Sequence, residues 1–588
     1  MRLPGVLALQ IALPIPAGYT CTTQCRCLVG DDCWPSQSDF DTLAQKVSQP
    51  LIHPTPFAQP CYVDANSAEC AVIIANQTNS NFRADQPGAM QEPNFETFTF
   101  PNGTIDACYL NVTLGIPCHQ GSVSVIGVDA RTVEDIQVAV KFAAEHNLRL
   151  AVKNTGHDFF GRSHARGSFV IWTHHMNNLT MHESFQPTAA PSNETYEFAL
   201  TVEAGVQWHE AYSAADASER TIVGGVTAGG SVGAAGGWPA GGGHSALTPT
   251  FGLGVDNILE MTMVTANGTF LTANPHVNPD LFWALRGGGG GTYGIVTSVT
   301  YRTHPRVPVI GAFLSVGANT SQPTAALLAA FTELVSITPS LTDAGWGGYT
   351  DIIVPALAGS GAVRFAIAYI VPNVSWVAAN ATIQPYFDFV NALAANSSGD
   401  AAPTAVSYAF TKQYASFFDW CTHNIAETGG VGSNLELGSW LLPGTALEGN
   451  PQGVAETVLE TTASYHLVAG GAASRVDPDA SGLNPAWRKA VVHVVGGATW
   501  ADGTTSDEIN ALRAALSDRN AKLRALAPES GAYFNEASPF EPDFKQAFFG
   551  SHYDRLRAIK EVYDPQDLFI VTEGVASDEW DSTLNCRV

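Results

Sequence analysis

Three groups of residues in this sequence have the types and spacing to do chemistry. The first is Lys153-Asn154-Thr155-Gly156-His157-Asp158, followed at once by Gly161-Arg162-Ser163. A tight glycine-containing turn there brings one imidazole and several backbone N–H groups to a single place. A neutral imidazole is a nucleophile, and grouped N–H donors cradle an anion. The second group is glycine-dense: residues 224–244, with Gly229, Gly230, Gly237, Gly242 and Gly243, and residues 286–294. The first of these runs holds Val, Trp and Ala and few Ser, which argues against a flexible linker. It suits a backbone that must approach a ligand closely. The third group is Tyr533-Phe534-Asn535-Glu536. A glutamate can serve there as a base when burial raises its pKa toward neutral.

Periodicity locates the elements that position these groups. Val123, Val125 and Val128 bracket a first strand. Thr132 opens a helix with Asp135 as its capping-box partner, and Val133, Ile136, Val140 and Ala143 share one face. Asn147 ends it. A second strand over 148–153, with Leu148, Leu150 and Val152 inward, runs into the His157 turn, so that turn is the exit of a β-α-β unit. Strands follow at 169–172, 196–203 and 258–265, the last leading into an Asn267-Gly268 hairpin turn. A short helix at 279–285, the second glycine run and a strand at 295–301 complete this region. From about residue 305 to 528, strand-like runs (364–370, 490–495) alternate with alanine-rich helical runs (324–336, 377–394, 506–526), the order of an α+β domain. A last helix over 543–562 stops at Tyr563-Asp564-Pro565.

Gly289, Gly291 and Gly294 spell a literal G-x-G-x-x-G. The dinucleotide fingerprint needs a strand before it and a helix after. Here the order is helix, glycines, strand. That excludes the fingerprint and leaves a nest of N–H groups for a pyrophosphate.

The 588 residues exceed one ordinary core and predict two or three domains. A net charge of −26 repels phosphate backbones and anionic lipids. Neither nucleic acid nor a membrane is an expected partner; a monomer acting on a small molecule is. Met1-Arg2, the apolar run to Leu13 and Pro14-Ile15-Pro16 read as a secretory signal peptide over 1–18. No other uncharged apolar run is long enough to span a bilayer. Cysteine usage agrees with export. Eight of ten, Cys21, Cys25, Cys27, Cys33, Cys61, Cys70, Cys108 and Cys118, predict a disulfide-tied segment over 19–118, while Cys421 and Cys586 stand apart. Sequons beginning at Asn76, Asn102, Asn111, Asn178, Asn193, Asn267, Asn319, Asn373, Asn380 and Asn396 predict a glycoprotein. His174-His175 lacks metal partners at ligand spacing, so no metal site is expected.

In this order, the pieces resemble the vanillyl-alcohol-oxidase superfamily of FAD enzymes, and within it the secreted fungal members of the berberine-bridge-enzyme-like branch. The matching stretches are 153–158; 229–243 with Phe251-Gly252-Leu253-Gly254-Val255-Asp256-Asn257; Phe282-Trp283-Ala284-Leu285-Arg286 with 287–294 and Ile295-Val296; and Tyr533-x-Asn535 with Tyr563-Asp564-Pro565-x-x-Leu568-Phe569. The resemblance implies an α+β fold with a PCMH-type, two-subdomain FAD-binding domain over 119–305. A C-terminal segment over 531–588 completes that domain. Between them, 306–530 would form a substrate domain, a large antiparallel sheet backed by helices. The implied activity is a secreted FAD-dependent oxidase. Hydride would pass from a hydroxylated substrate (an alcohol, a phenol or a secondary metabolite) to the flavin, and O2 would reoxidise it to give H2O2. A dehydrogenase with another acceptor, a carbohydrate oxidase and a catalytically degenerate flavoprotein remain open.

The resemblance also places His157 at the site of covalent attachment to the flavin 8α-methyl carbon. The other implied cofactor contacts are Lys153, Asn154, Thr155, Gly156, Asp158, Gly161, Arg162, Ser163, Gly229, Gly230, Ser231, Gly237, Trp238, Gly242, Gly243, Ile295, Val296 and Asn535. The sequence departs from the branch twice. Doubly linked members carry a cysteine eight residues before an aromatic residue; counting back from Trp238 gives Gly230, so a single histidyl link is expected. Many relatives carry a tyrosine base where this chain has Glu536. Glu536, Tyr533 and Asp477 are the expected catalytic residues, with Arg475, His244 and His493 as further candidates, each open to a structural reading.

Overall fold

The computed structural model describes residues 25–353, 361–397, 399 and 402–588. The signal peptide over 1–18 and Cys21 lie outside the described residues. The first subdomain is built on the expected β-α-β unit. β1 (Ile126–Asp129) leads to α1 (Val133–Glu145) and β2 (Leu150–Lys153). Thr132 and Asp135 close a capping box at the start of α1, which buries Ile136, Ala139, Val140 and Ala143. Asn147 leaves it in the left-handed region at φ 50°. β3 (Phe169–Trp172) slots between β1 and β2, and all three strands are parallel.

The second subdomain is a five-stranded antiparallel sheet. Its strands are β4 (Leu179–Phe185), β5 (Tyr196–Glu203), β6 (Ile258–Thr265), β7 (Phe270–Ala273) and β8 (Gly294–Arg302), in the order β7-β6-β8-β5-β4. α2 (Trp208–Ala217) follows β5, and α3 (Pro279–Leu285) precedes the second glycine run. That run therefore joins a helix to a strand, as the sequence order requires.

A seven-stranded antiparallel sheet forms the core of the region expected to be the substrate domain. It contains β9 (Val309–Ala318), β10 (Gly347–Ile353), β11 (Val363–Pro372), β12 (Ala405–Tyr414), β13 (Asn434–Pro443), β14 (Ser464–His466) and β15 (Ala490–Trp500). Their order is β12-β9-β11-β10-β14-β15-β13. The helices α4 (Ala325–Asp343), α5 (Trp376–Asn396) and α7 (Ser506–Leu526) pack on this sheet, and α6 (Pro451–Thr461) packs on α4 and α7. Alternate residues of β11 (Val363, Phe365, Ile367, Tyr369) are buried, and Phe365 meets Phe331 of α4 edge-on at 5.2 Å. α4 carries Glu333 and ends at Asp343, and its 19 residues are long and apolar enough to cross a membrane by length and composition alone. It instead buries Leu327, Phe331, Leu334 and Leu341 in the core.

Two expectations change. The helix over 543–562 is broken. A π turn (Lys545–Phe549) and a 3-10 turn (Gly550–His552) precede α8 (Tyr553–Tyr563). Gly550 sits at φ 55°, and a Cβ there would lie 2.8 Å from Asn484 Oδ1, so the chain kinks against Asn484. The N-terminal cysteines are also not self-contained. Cys27–Cys33, Cys61–Cys70 and Cys108–Cys118 close short loops, but Cys25 pairs with Cys586, joining the two ends of the described chain. Cys421 has no disulfide partner among the described residues. None of the ten sequon asparagines is buried.

Candidate functional site

The β2 turn, both glycine runs, the start of β8 and the C-terminal segment enclose one cleft of about 1530 Å³, its open mouth included. Asn154, Thr155, Gly156, His157, Asp158, Arg162 and Ser163 line it along the turn. Gly237, Trp238, Ile295 and Val296 line it from the glycine runs and β8, and Tyr533, Asn535 and Glu536 from the far end of the chain. Val152 also faces it and so is only half-buried, where the sequence pattern placed it in the core. Reasoning from sequence missed Phe569, Ile570 and Val571, which reach the cleft just past α8.

Several expected contacts lie elsewhere. Lys153 is fully buried and points away, its Nζ donating to the Gln86 carbonyl at 2.9 Å. Gly161 backs onto Phe95, and Gly229 onto Asn81 and Glu427. Gly242 and Gly243 make room for Leu483 and Trp238, so they serve protein packing rather than a ligand. Gly230 sits at φ 58° with a virtual Cβ 2.7 Å from His209 Cβ, and it too is outside the cleft lining. Ser231 is buried behind the lining but touches it through His157, with Oγ 2.7 Å from Nε2. Asp477 is exposed and caps a 3-10 turn by accepting from Asp479 N; neither it nor the exposed Arg475 lines the cleft. His174 and His175 bind Asp85 and Asp129 separately, at 2.9 and 2.7 Å.

At the inner wall, Glu536 is surrounded by imidazoles. His244 Nε2 is 3.1 Å from Glu536 Oε1, and His493 Nδ1 is 3.7 Å from Oε2. His466 on β14 lies directly opposite His493 on β15, so both rings stand on one face of the sheet. Burial alone would raise the Glu536 carboxyl. His244, with His493 and His466 behind it, outweighs burial and draws it down to about 2. This reverses the expected direction: Glu536 is held as a carboxylate by its neighbours. Burial holds His157 neutral, lowering it to about 4 against the pull of Glu536. Burial also raises Tyr533 well above the usual phenol range. Its hydroxyl accepts from Asn535 Nδ2 at 3.0 Å.

Behind the turn lies a buried charged group of Arg83, Glu92, Glu96 and Lys153. Neither Glu92 oxygen has a hydrogen-bond partner, and burial raises its carboxyl to about 8. A carboxyl with a folded pKa above its unfolded value of 4.5 carries an extra proton between the two. Folded stability therefore falls as pH rises through that window. Glu92→Gln is expected to melt several degrees higher than the wild type at about pH 8, with the difference vanishing near pH 4; thermal melts across pH check this.

The cleft wall asks for a ligand. A Cβ on Gly236 or Gly237 would meet nothing within 4 Å, although both line the cleft. Asn154 Oδ1, Arg162 Nη1, Trp238 Nε1 and Thr292 Oγ1 belong to cleft-lining residues and are buried without partners. A long ligand with phosphates at the glycine nest and a planar polar ring at the His157 turn would use these features, and FAD has both parts. Residues 126–274 match the FAD binding domain family, and 532–576 match the family described as berberine and berberine like. An FAD-linked oxidoreductase of Arthroderma benhamiae is 36% identical over 578 residues, covering 96% of each chain. The FAD-linked oxidoreductase patO of Aspergillus clavatus is 32% identical, covering 97% of this chain and 96% of that one. The chain belongs to the berberine-bridge-enzyme-like FAD-linked oxidoreductases. The VAO-type flavoprotein MtVAO713 of Myceliophthora thermophila shares the fold, with a TM-score of 0.84 at 28% identity over 96% of this chain and 100% of that one. In this FAD-linked oxidoreductase the residues that would hold the cofactor are the His157 turn, Gly236, Gly237, residues 289–296 and Val571.

Proposed function

We propose that this protein is a secreted oxidase of a hydroxylated small molecule, with its flavin held by one covalent link to His157. The observation that carries the reading is Glu536, 3.1 Å from His244 Nε2, on the same cleft as His157; its neighbours draw the Glu536 carboxyl down and burial draws the His157 imidazole down. FAD, when bound, would take up two electrons from the substrate and return them to O2 as H2O2. The chain's own residues supply position and proton transfer. With the Ser231 O–H turned to the Ala228 carbonyl, Ser231 Oγ accepts from His157 Nε2–H, which leaves the Nδ1 lone pair for the 8α link. Arg162 is fixed by Asp158 at 2.8 Å and Asn535 at 3.2 Å, and its Nη1 is buried without a hydrogen-bond partner in the cleft wall. Glu536 accepts the substrate hydroxyl proton, and His244 shares it. Tyr533, kept protonated by burial, donates its O–H to the substrate oxygen while accepting from Asn535. Sequons with no buried asparagine and four disulfides support export.

Anaerobic mixing with a panel of alcohols, phenols and sugars tests the reading. At least one hydroxylated compound should bleach the flavin, and air should restore it with one H2O2 per flavin. A flavin that only dithionite reduces would overturn the reading. Re-aeration without peroxide would reassign the protein as a dehydrogenase with another acceptor.

A further inference from the structure

The imidazoles around Glu536 leave more nitrogen unpaired than proton transfer requires. Neither ring nitrogen of His493 has a hydrogen-bond partner, and the residue is fully buried. His244 Nδ1 and His466 Nδ1 are buried and unpartnered as well. Buried polar atoms in folded proteins are satisfied in the great majority of cases, by protein, water or an ion. One donor atom each from His244, His493 and Glu536 lies within 4.8 Å of the other two. A four-coordinate zinc ion with bonds of about 2.0–2.2 Å sets its ligands roughly 3.3–3.5 Å apart. The separations of 3.1 and 3.7 Å from the two carboxylate oxygens bracket that spacing.

Three separate parts of the fold fix these side chains. His493 sits within β15, paired to β14, while His244 follows the first glycine run and Glu536 the Tyr533 motif. Two imidazoles and one carboxylate suit zinc and its neighbours; magnesium and calcium favour oxygen-rich sets. The other His/Cys/Asp/Glu grouping with metal-like spacing among the described residues, Cys27, Asp31 and Cys33, has both sulfurs in a disulfide.

We propose that His244, His493 and Glu536 form a binding site for a divalent transition-metal ion of the zinc class, its remaining coordination position open toward the cleft. Glu536 is the most exposed of the three side chains, 27% against 8% for His244 and 0% for His493, and both Glu536 and His244 line the cleft, so the ion enters from the cleft side. The bound ion occupies the atoms assigned above to the substrate proton, and zinc should therefore compete with turnover. The site itself stands on the cluster geometry and does not depend on which substrate is oxidised.

The test counts metal. Flavin-containing protein is stripped with a chelator, equilibrated with Zn2+ alone and gel-filtered, and zinc per chain is measured. The wild type should retain one Zn2+ per chain. His493→Gln and Glu536→Gln should each bind at least about tenfold more weakly, with flavin content and melting temperature showing that they are folded. Co2+ in place of Zn2+ should give intense visible bands of a four-coordinate site in the wild type only. Equal zinc uptake by the wild type and both variants, or no stoichiometric uptake at all, would sink the proposal. If His493→Gln fails to fold, Glu536→Gln decides alone. Slow flavin reduction in Glu536→Gln with unaltered zinc uptake would overturn this site and leave the proposed oxidation standing; normal reduction with lost zinc would do the reverse.

Discussion

His157→Ala is expected to make the flavin fully extractable. Acid precipitation of the wild type should leave the yellow colour in the pellet, and the variant should release it all to the supernatant. The argument begins with protonation. A protonated imidazole has no lone pair to form the link, and burial lowers His157 to about 4 even though Glu536 pulls the other way. Its orientation comes next. Ser231 Oγ lies 2.7 Å from Nε2, and Ser231 is itself fully buried, so the ring cannot turn freely. Ser231→Ala should accordingly leave a mixture of linked and extractable flavin. No second anchor takes over. A side chain at Gly230 would meet His209, and Cys421, without a disulfide, is not part of the cleft lining. Thiol-blocking reagents should therefore leave the link untouched. The contacts that do not depend on His157, the open faces of Gly236 and Gly237 and the free Arg162 nitrogen, should still hold FAD non-covalently in the variant. Colour that stays with the variant's pellet would place the link on another residue.

How much of this was legible in the sequence depended on whether the signal was local. The β1-α1-β2 unit was, because its cap, periodicity and stop residue fall within 30 residues of each other. The His157 turn inherits its place from that unit. The glycine runs were legible as ligand-facing, but not residue by residue. Gly236 and Gly237 face the cleft, while Gly242 and Gly243 face Leu483 and Trp238, and composition is the same in both cases. Lys153 precedes the turn and yet points behind it, because the period of a strand alternates faces and its neighbour Asn154 takes the cleft side. Asp477 was placed by a resemblance that slips by a residue or two, and the chain there is a surface turn. The Glu536 environment was the least legible. Its pKa is set by His244, His493 and His466, between 43 and 292 residues away in sequence, and His466 meets His493 only through strand register. Burial was the one influence visible in advance, and by itself it points in the wrong direction.

That environment makes Glu536→Gln the second large effect. The variant should bind FAD normally and reduce it about 10²–10⁴-fold more slowly with substrate, the usual contribution of a positioned proton acceptor. A carboxylate drawn down to about 2 would be a weak base if it acted alone. That value belongs to the state in which His244 already carries a charge; with His244 neutral, its Nε2, 3.1 Å away, can share the proton as it arrives. A carboxylate–imidazole pair of this kind accepts a proton at a cost set by both groups together. His244→Gln separates the two contributions. Without that imidazole the burial of Glu536 is less opposed, its pKa moves up, and the acidic limb of the flavin-reduction profile should shift to higher pH. The same change brings the carboxylate closer to an ordinary base, so well above the new limb His244→Gln should lose less rate than Glu536→Gln. Stopped-flow reduction of both variants across pH distinguishes this pair from a purely structural Glu536. A structural role would leave the acidic limb of His244→Gln where the wild type has it, and Glu536→Gln at full speed would remove the carboxylate from the mechanism.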